Sequence, residues 1–153
     1  MAKWKFEGLD KYIEQLNKLE KNTDEIIGRA VYKGAGIVAD AARAALQNVT
    51  TDDEYHPAGE MREGPTTEEK EALEASFGIS RMRDEKGYVH VKIGFHGRNP
   101  SGLNNSGMAR MIERGSSFMK KQPFITKAVN AKKKECEKVM AETLDEEIKK
   151  LTG

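Results

Sequence analysis

The chain has 153 residues, 26 of them Lys or Arg and 25 Asp or Glu, giving a formal net charge of +1. This length fits one domain, and the balanced, interspersed charge gives no case for a protein built around a nucleic-acid or membrane field. With 37% hydrophobic and 33% charged residues and one cysteine, Cys136, the expectation is a small core under a large solvated surface. An intramolecular disulfide is excluded, and a reducing compartment is the expected place of folding.

The N-terminal "MAKWKFEGLD" lacks an apolar run of signal-peptide length. No stretch approaches the ~18 apolar residues of a membrane span. A soluble protein, made in the cytoplasm and with no membrane partner, is expected. Residues 9–21 carry Leu9, Tyr12, Ile13, Leu16 and Leu19 at helical spacing. Asn22 with Glu25 reads as a capping box for a second helix near 23–47. Its apolar stripe, from Ile26 to Leu46, is rich in alanine. Gly34 and Gly36 each cost about 1 kcal/mol against alanine in a helix interior, so they predict close packing or a bend.

Residues 49–66, "VTTDDEYHPAGEMREGPT", have no sustained period and are punctuated by Pro57, Gly59, Gly64 and Pro65. Their acidic, Gly- and Pro-containing composition predicts a long mobile loop. Thr66 with Glu69 then predicts a capped short helix to about Ser76. In "YVHVKIGF", Val89, Val91, Ile93 and Phe95 alternate with His90, Lys92 and Gly94, which is the clearest strand signal. With "FGISRMR" it predicts an antiparallel hairpin over 77–95. "HGRNPSGLNNSG" reads as a loop, Met108–Arg114 as two turns of helix, and Pro123 as the start of a helix reaching about residue 151. The fold class is α+β: long N-terminal and C-terminal helices packed on a small antiparallel sheet.

Enzymatic chemistry finds little support. His56, His90 and His96 do not converge in the sequence as metal ligands. Cys136 lies on an apolar helix stripe with no activating partner. No nucleophile–base pair or paired carboxylates can be argued, and no cofactor or catalytic residue is expected. The run Lys132–Lys134 is answered by Glu135 and Glu137, the pattern of an ion-paired solvated face. "RMIERGSSFMKKQPFITKAV", from Arg110 to Val129, asks a different question. It sets Phe118 and Met119 in a short break between two charged helices. Phe118 either tucks into the chain's own core or meets a neighbouring subunit.

Several motifs, in order, resemble the gene-product-ten-like family of siphophage head–tail joining proteins, also called neck or tail-completion proteins. "FEGLDKYIEQL" carries Phe6, Gly8, Leu9 and Asp10; the Gly34-Ala35 pair sits in an alanine-rich helix; and "VHVKIGF" ends its strand at Gly94. "MARMIERGSS" supplies Ala109, Glu113 and Gly115, with Met108 where the family usually has tyrosine, and "QPFITKAV" supplies Pro123 and Phe124. The chain departs from the family in its longer, acidic 49–66 loop and in the "PTTEEKEALEAS" helix before the first strand.

The resemblance implies one domain over 1–153, non-enzymatic, acting in a ring at the head–tail interface of a virion after assembly in the host cytoplasm. A hexamer is the candidate ring. The implied partners are other copies, head-side connector or portal-proximal proteins, and the tail tube or tail terminator, with non-specific proximity to phage DNA. The expected subunit interface comprises Met111, Ile112, Arg114, Phe118, Met119, Lys120, Lys121 and Phe124. The rival expectation is a small nucleic-acid- or protein-binding module using Lys120, Lys121 and Lys132–Lys134.

Overall fold

A computed structural model describes residues 9, 11, 12, 14, 15, 23–85 and 88–152. Helix α1 spans Thr23–Gln47, α2 Thr67–Ser76, α3 Asn105–Arg114 and α4 Phe124–Thr152. Strands β1 Phe77–Ile79, β2 Arg83–Glu85, β3 Tyr88–His90 and β4 Ile93–Phe95 lie between α2 and α3. The fold is α+β, as the shift from a 3.6-residue to a 2-residue period at Phe77 requires. Residues 11, 12, 14 and 15 are helical. The other positions of the expected first helix, with Phe6, Gly8 and Asp10, lie outside the described residues, as do Lys86 and Gly87 of the hairpin loop.

Local chemistry accounts for the element ends. Thr66 accepts from the Glu69 amide at 3.1 Å while the Glu69 carboxylate accepts from the Thr66 amide at 2.8 Å. This reciprocal box satisfies two of the donors a helix start leaves open. The expected single hairpin is two short ladders with a one-residue offset. Ser80 donates to the Lys92 carbonyl and His96 to the Ser76 carbonyl, an antiparallel alignment that sets Gly78 across from Gly94. Beyond them, Arg83 faces His90 and Glu85 faces Tyr88.

Two residues, Arg81 and Met82, therefore stand opposite Val91 alone, which is a β-bulge. The Ser80 hydroxyl replaces its own carbonyl as acceptor for the Lys92 amide, at 2.8 Å. That carbonyl accepts from the Tyr32 hydroxyl instead, and the same hydroxyl accepts from the Met82 amide. The bulge thus ties the hairpin to α1.

The chain gathers into two compact units, each assembled from segments distant in sequence. The first comprises Met1–Val38, Ile79–Ile93 and Lys132–Gly153. In it, Gly34 of α1 lies against Cys136 and Met140 of α4; a Cβ at residue 34 would come within 2.6 Å of Met140 and 2.9 Å of the Cys136 sulfur. Burial pushes the Cys136 thiol up to about 11, which keeps it protonated and unreactive. Arg29 bridges the same helices by donating to Glu147 at 2.9 Å.

The second unit comprises Ala39–Gly78 and Gly94–Ala131. Its core joins Leu46, Val49, Leu73, Phe95, Met108, Ala109, Ile112, Met119 and Phe124. Phe95 stands at its centre, with ring centroids 5.2 Å from Phe77 and 6.4 Å from Phe124.

The two helix glycines give opposite expectations. At Gly36 nothing lies within 4 Å of an added Cβ, so Gly36→Ala should stabilise by about 1 kcal/mol through helix propensity. Gly34→Ala should lose that gain to overpacking, which costs about 1–3 kcal/mol. Paired urea melts check this; equal shifts for the two variants would refute the close approach at Gly34.

Candidate functional site

The break between α3 and α4 is built by the two helix ends it joins. Helix α3 stops at Gly115, whose φ of +75° a residue with a side chain rarely adopts. Its amide donates to the Met111 carbonyl, and the Gln122 amide returns to the Ile112 carbonyl. A Cβ at residue 115 would sit 3.1 Å from the Lys121 amide nitrogen, so glycine also permits the chain to double back.

Helix α4 starts with Pro123 at its N-cap, a residue with no side-chain acceptor. Glu113 supplies one from α3: its carboxylate accepts from the Ile125 amide at 2.8 Å, the Thr126 amide at 3.1 Å, and the Thr126 hydroxyl. The Phe124 amide uses the Gln122 carbonyl. Every open donor of the first turn is then satisfied, and a carboxylate stands at the positive end of the helix.

Between these ends the backbone is held at Ser116 and from Phe118 to Lys120. The Ser116 hydroxyl accepts from the Phe118 and Met119 amides, each at 3.1 Å. Arg62 donates to the Phe118 carbonyl at 2.6 Å and accepts from the Lys120 amide at 2.9 Å. The resulting parallel bridge pairs Arg62 with Met119 and sets Met61 beside Phe118. Side chains alternate along such a pair. Met119 is 1% exposed and turns inward, whereas Phe118 is 65% and Met61 52% exposed and turn out together. A shallow open depression beside them is lined by Met61, Arg114, Gly115, Ser116, Met119, Lys120 and Lys121.

The 49–66 loop, expected to be mobile from its composition, carries a dense set of contacts at its base. Gln122 exchanges two hydrogen bonds with the Thr50 backbone, at 2.8 and 3.1 Å, and donates to the Glu63 carbonyl. Asp52 is buried and accepts from the Glu63 and Glu54 amides and the His56 ring. Asp53 accepts from the Thr67 amide and hydroxyl. Gly64 is packed so closely that a Cβ would overlap the Thr50 carbonyl oxygen, at 1.8 Å.

The eight expected interface residues separate into two groups. Ile112, Met119 and Phe124 lie in the core of the chain itself, so their surface is already spent and cannot be buried again against a neighbour. Met111 is half-buried, and Arg114, Phe118, Lys120 and Lys121 are exposed. The alternative that Phe118 tucks into its own core is overturned, because the Ser116 turn points it outward.

Among the family-motif positions, Ala109 is core, Glu113 caps α4, and Gly115 makes the reversal. Leu9 is half-buried, with its carbonyl accepting from the Tyr12 amide. The lysine run is partly paired, Lys132 with Glu135 at 3.1 Å, and Lys120 lies 3.5 Å from Glu63. Among the described residues no group of three or more His, Cys, Asp or Glu side chains is placed to hold a metal, and no helix is long and apolar enough to cross a membrane.

A family model described as "Bacteriophage HK97-gp10, putative tail-component" matches residues 10–115. No curated protein and no solved structure gives a significant match. The matched span is more than half of the chain and ends on the Gly115 reversal. The protein belongs to the HK97-gp10-like family of phage tail components.

Two expectations follow. Glu113→Ala should cost about 1–2 kcal/mol, as loss of a helix cap does, and amide exchange should rise at Ile125 and Thr126 ahead of the rest of α4. Uniform exchange with unchanged stability would refute the cap.

The second concerns acid. Hydrogen bonds from the Glu63 amide, then from the Glu54 amide and His56, hold the Asp52 carboxyl below its usual range, and those from Thr67 do the same for Asp53. Their contribution is complete above the unfolded aspartate value of about 3.9. It is lost as pH falls through the lower folded values. Asp52→Asn should therefore be less stable than the parent at pH 7, with a smaller further loss below about pH 4. Parallel acid titrations of the two proteins would expose the error.

Proposed function

We propose that this tail component is a non-enzymatic structural protein of the head–tail interface that assembles into a ring of its own copies. The observation that carries the reading is Phe118, held outward by a backbone bonded on both sides. An exposed aromatic is costly to leave in water, and a rigid one loses little entropy when a partner covers it. Burying its ring is worth about 1.5–3 kcal/mol, repeated at every contact of a closed ring. The connector, portal-proximal and tail-tube partners, and proximity to DNA, belong to this same reading.

The rival reading, a nucleic-acid module on Lys120, Lys121 and Lys132–Lys134, draws on a lysine run in which Lys132 already faces Glu135 at 3.1 Å. Salt-dependent DNA affinity of the isolated protein would revive it.

The test pairs electron microscopy and light scattering of the parent with a Phe118→Asp variant. The parent should form rings. The variant should melt like the parent but dissociate one to two orders of magnitude more readily, the equivalent of about 1.5–3 kcal/mol, and should fail to complete infectious particles. Assembly indistinguishable from the parent would remove Phe118 from the contact, and a parent that stays monomeric at all concentrations would remove the ring.

A further inference from the structure

The patch around Phe118 also has a definite electrostatic character. Its depression is rimmed by Arg114, Lys120 and Lys121, contains no carboxylate in its lining, and has an apolar floor of Met61 and Met119. Among the described residues Arg114 and Lys121 have no ion-pair partner, and Lys120 has only the exposed contact with Glu63. A surface of this kind fits carboxylates carried on an otherwise slim, apolar-tolerant face.

The same unit of the chain presents one. Helix α2 buries Glu69, Leu73 and Ser76 and turns Glu68, Glu71 and Glu74 to solvent on the other side. Their three-residue spacing puts them on one flank, and Ala75 falls on that flank as a methyl-sized gap. Several carboxylates elsewhere have a cation on their own helix: Glu25 has Arg29, Asp40 has Arg43, Glu142 has Lys138 and Asp145 has Lys149. The α2 trio has none. The one lysine of α2, Lys70, is turned away, donating to the Gln47 and Val49 carbonyls at the end of α1.

We propose that the occupant of the Phe118 depression is α2 of a second copy, with Glu71 entering between Arg114 and Lys121 and Glu68 and Glu74 flanking it. This rests on the ring reading and deepens it, by naming both halves of the subunit contact. Made once between two copies, with the second copy's own patch left for the α2 of a third, the contact is heterologous, the type that propagates around a ring; made twice between the same two copies it would close a two-fold dimer, which light scattering distinguishes by mass. Phe118 and Met61 supply the buried area, and the charges fix which face meets it.

A charge-exchange experiment decides it. Lys121→Glu and Glu71→Lys are both surface changes and should fold as the parent does by circular dichroism. Each alone should raise the dissociation constant of the assembly at least about tenfold, because like charges then face each other. An equimolar mixture of the two single variants should recover assembly to within about threefold of the parent. In an alternating ring every contact is again opposite in sign: altered patch on altered α2, native patch on native α2. The doubly substituted chain should recover likewise. Arg114→Glu with Glu74→Lys gives a second pair should either first variant fail to fold.

Single reversals that assemble normally, or a mixture no better than its components, would overturn the α2 contact while leaving the ring itself standing. A parent with no self-association at any concentration would instead overturn the ring, and this contact with it. Recovery in the mixture but not in high salt is the further mark of an ionic contact.

Discussion

The reach of Glu113 from α3 to the start of α4 is the interaction on which the second unit depends. A proline N-cap fixes the direction of a helix but offers nothing to its open amides. One carboxylate answers two amides and a hydroxyl and places negative charge at the helix start. To do so, α3 must end within one turn of Glu113, and the chain must reverse immediately. Gly115 supplies the reversal, and Ala109, one turn earlier, keeps α3 close to the core. The pattern Ala109, Glu113, Gly115, Pro123 is therefore one mechanical device, in which each residue type is required by the next.

The same device explains why Phe118 is exposed. Seven residues must connect Gly115 to Pro123 while the helix ends are held together, and the loop 49–66 lies along them through Arg62 and Gln122. A pairing of two extended segments sends alternate residues to opposite sides. Turning Met119 and the half-buried Arg62 inward obliges Phe118 and Met61 to face water. Within one copy this is a cost without return, which is the physical reason for looking to a partner.

Much of the fold was legible because it is written in local periods and caps. The bounds of α1, the Thr66–Glu69 box and the strand alternation up to Phe95 all follow from short-range rules. The bulge did not, since Arg81 and Met82 look like ordinary strand residues and only the two registers disclose the extra one. The candidate site was half legible. The break was found from its composition, but the division of Ile112, Met119 and Phe124 from Phe118 depends on the bridge to Arg62, fifty-seven residues away in number and invisible to any local pattern. The capping role of Glu113 had a signal that could have been used: a helix opening on Pro123 has no acceptor of its own and requires one from elsewhere.

Loop 49–66 shows what composition leaves out, namely which of its charges serve as acceptors at its base. Acidic residues, Gly and Pro reduce the apolar area available to fix a segment, yet Asp52 and Asp53 act here as acceptors that gather amides from both ends of the loop. The charges that suggest a solvated loop are spent on its own backbone. Their consequence reaches the break, because Arg62, which bridges Phe118 and Lys120, is positioned by the same loop and by its ion pair with Glu69 at 3.0 Å. Glu69 in turn closes the capping box of α2. The Phe118 turn and the helix carrying Glu68, Glu71 and Glu74 are thus held by one connected set of hydrogen bonds. A rigid patch and a rigid helix lose less entropy on association than two mobile ones. The bonds at the base of the loop would therefore favour the proposed contact through surfaces that they do not themselves occupy.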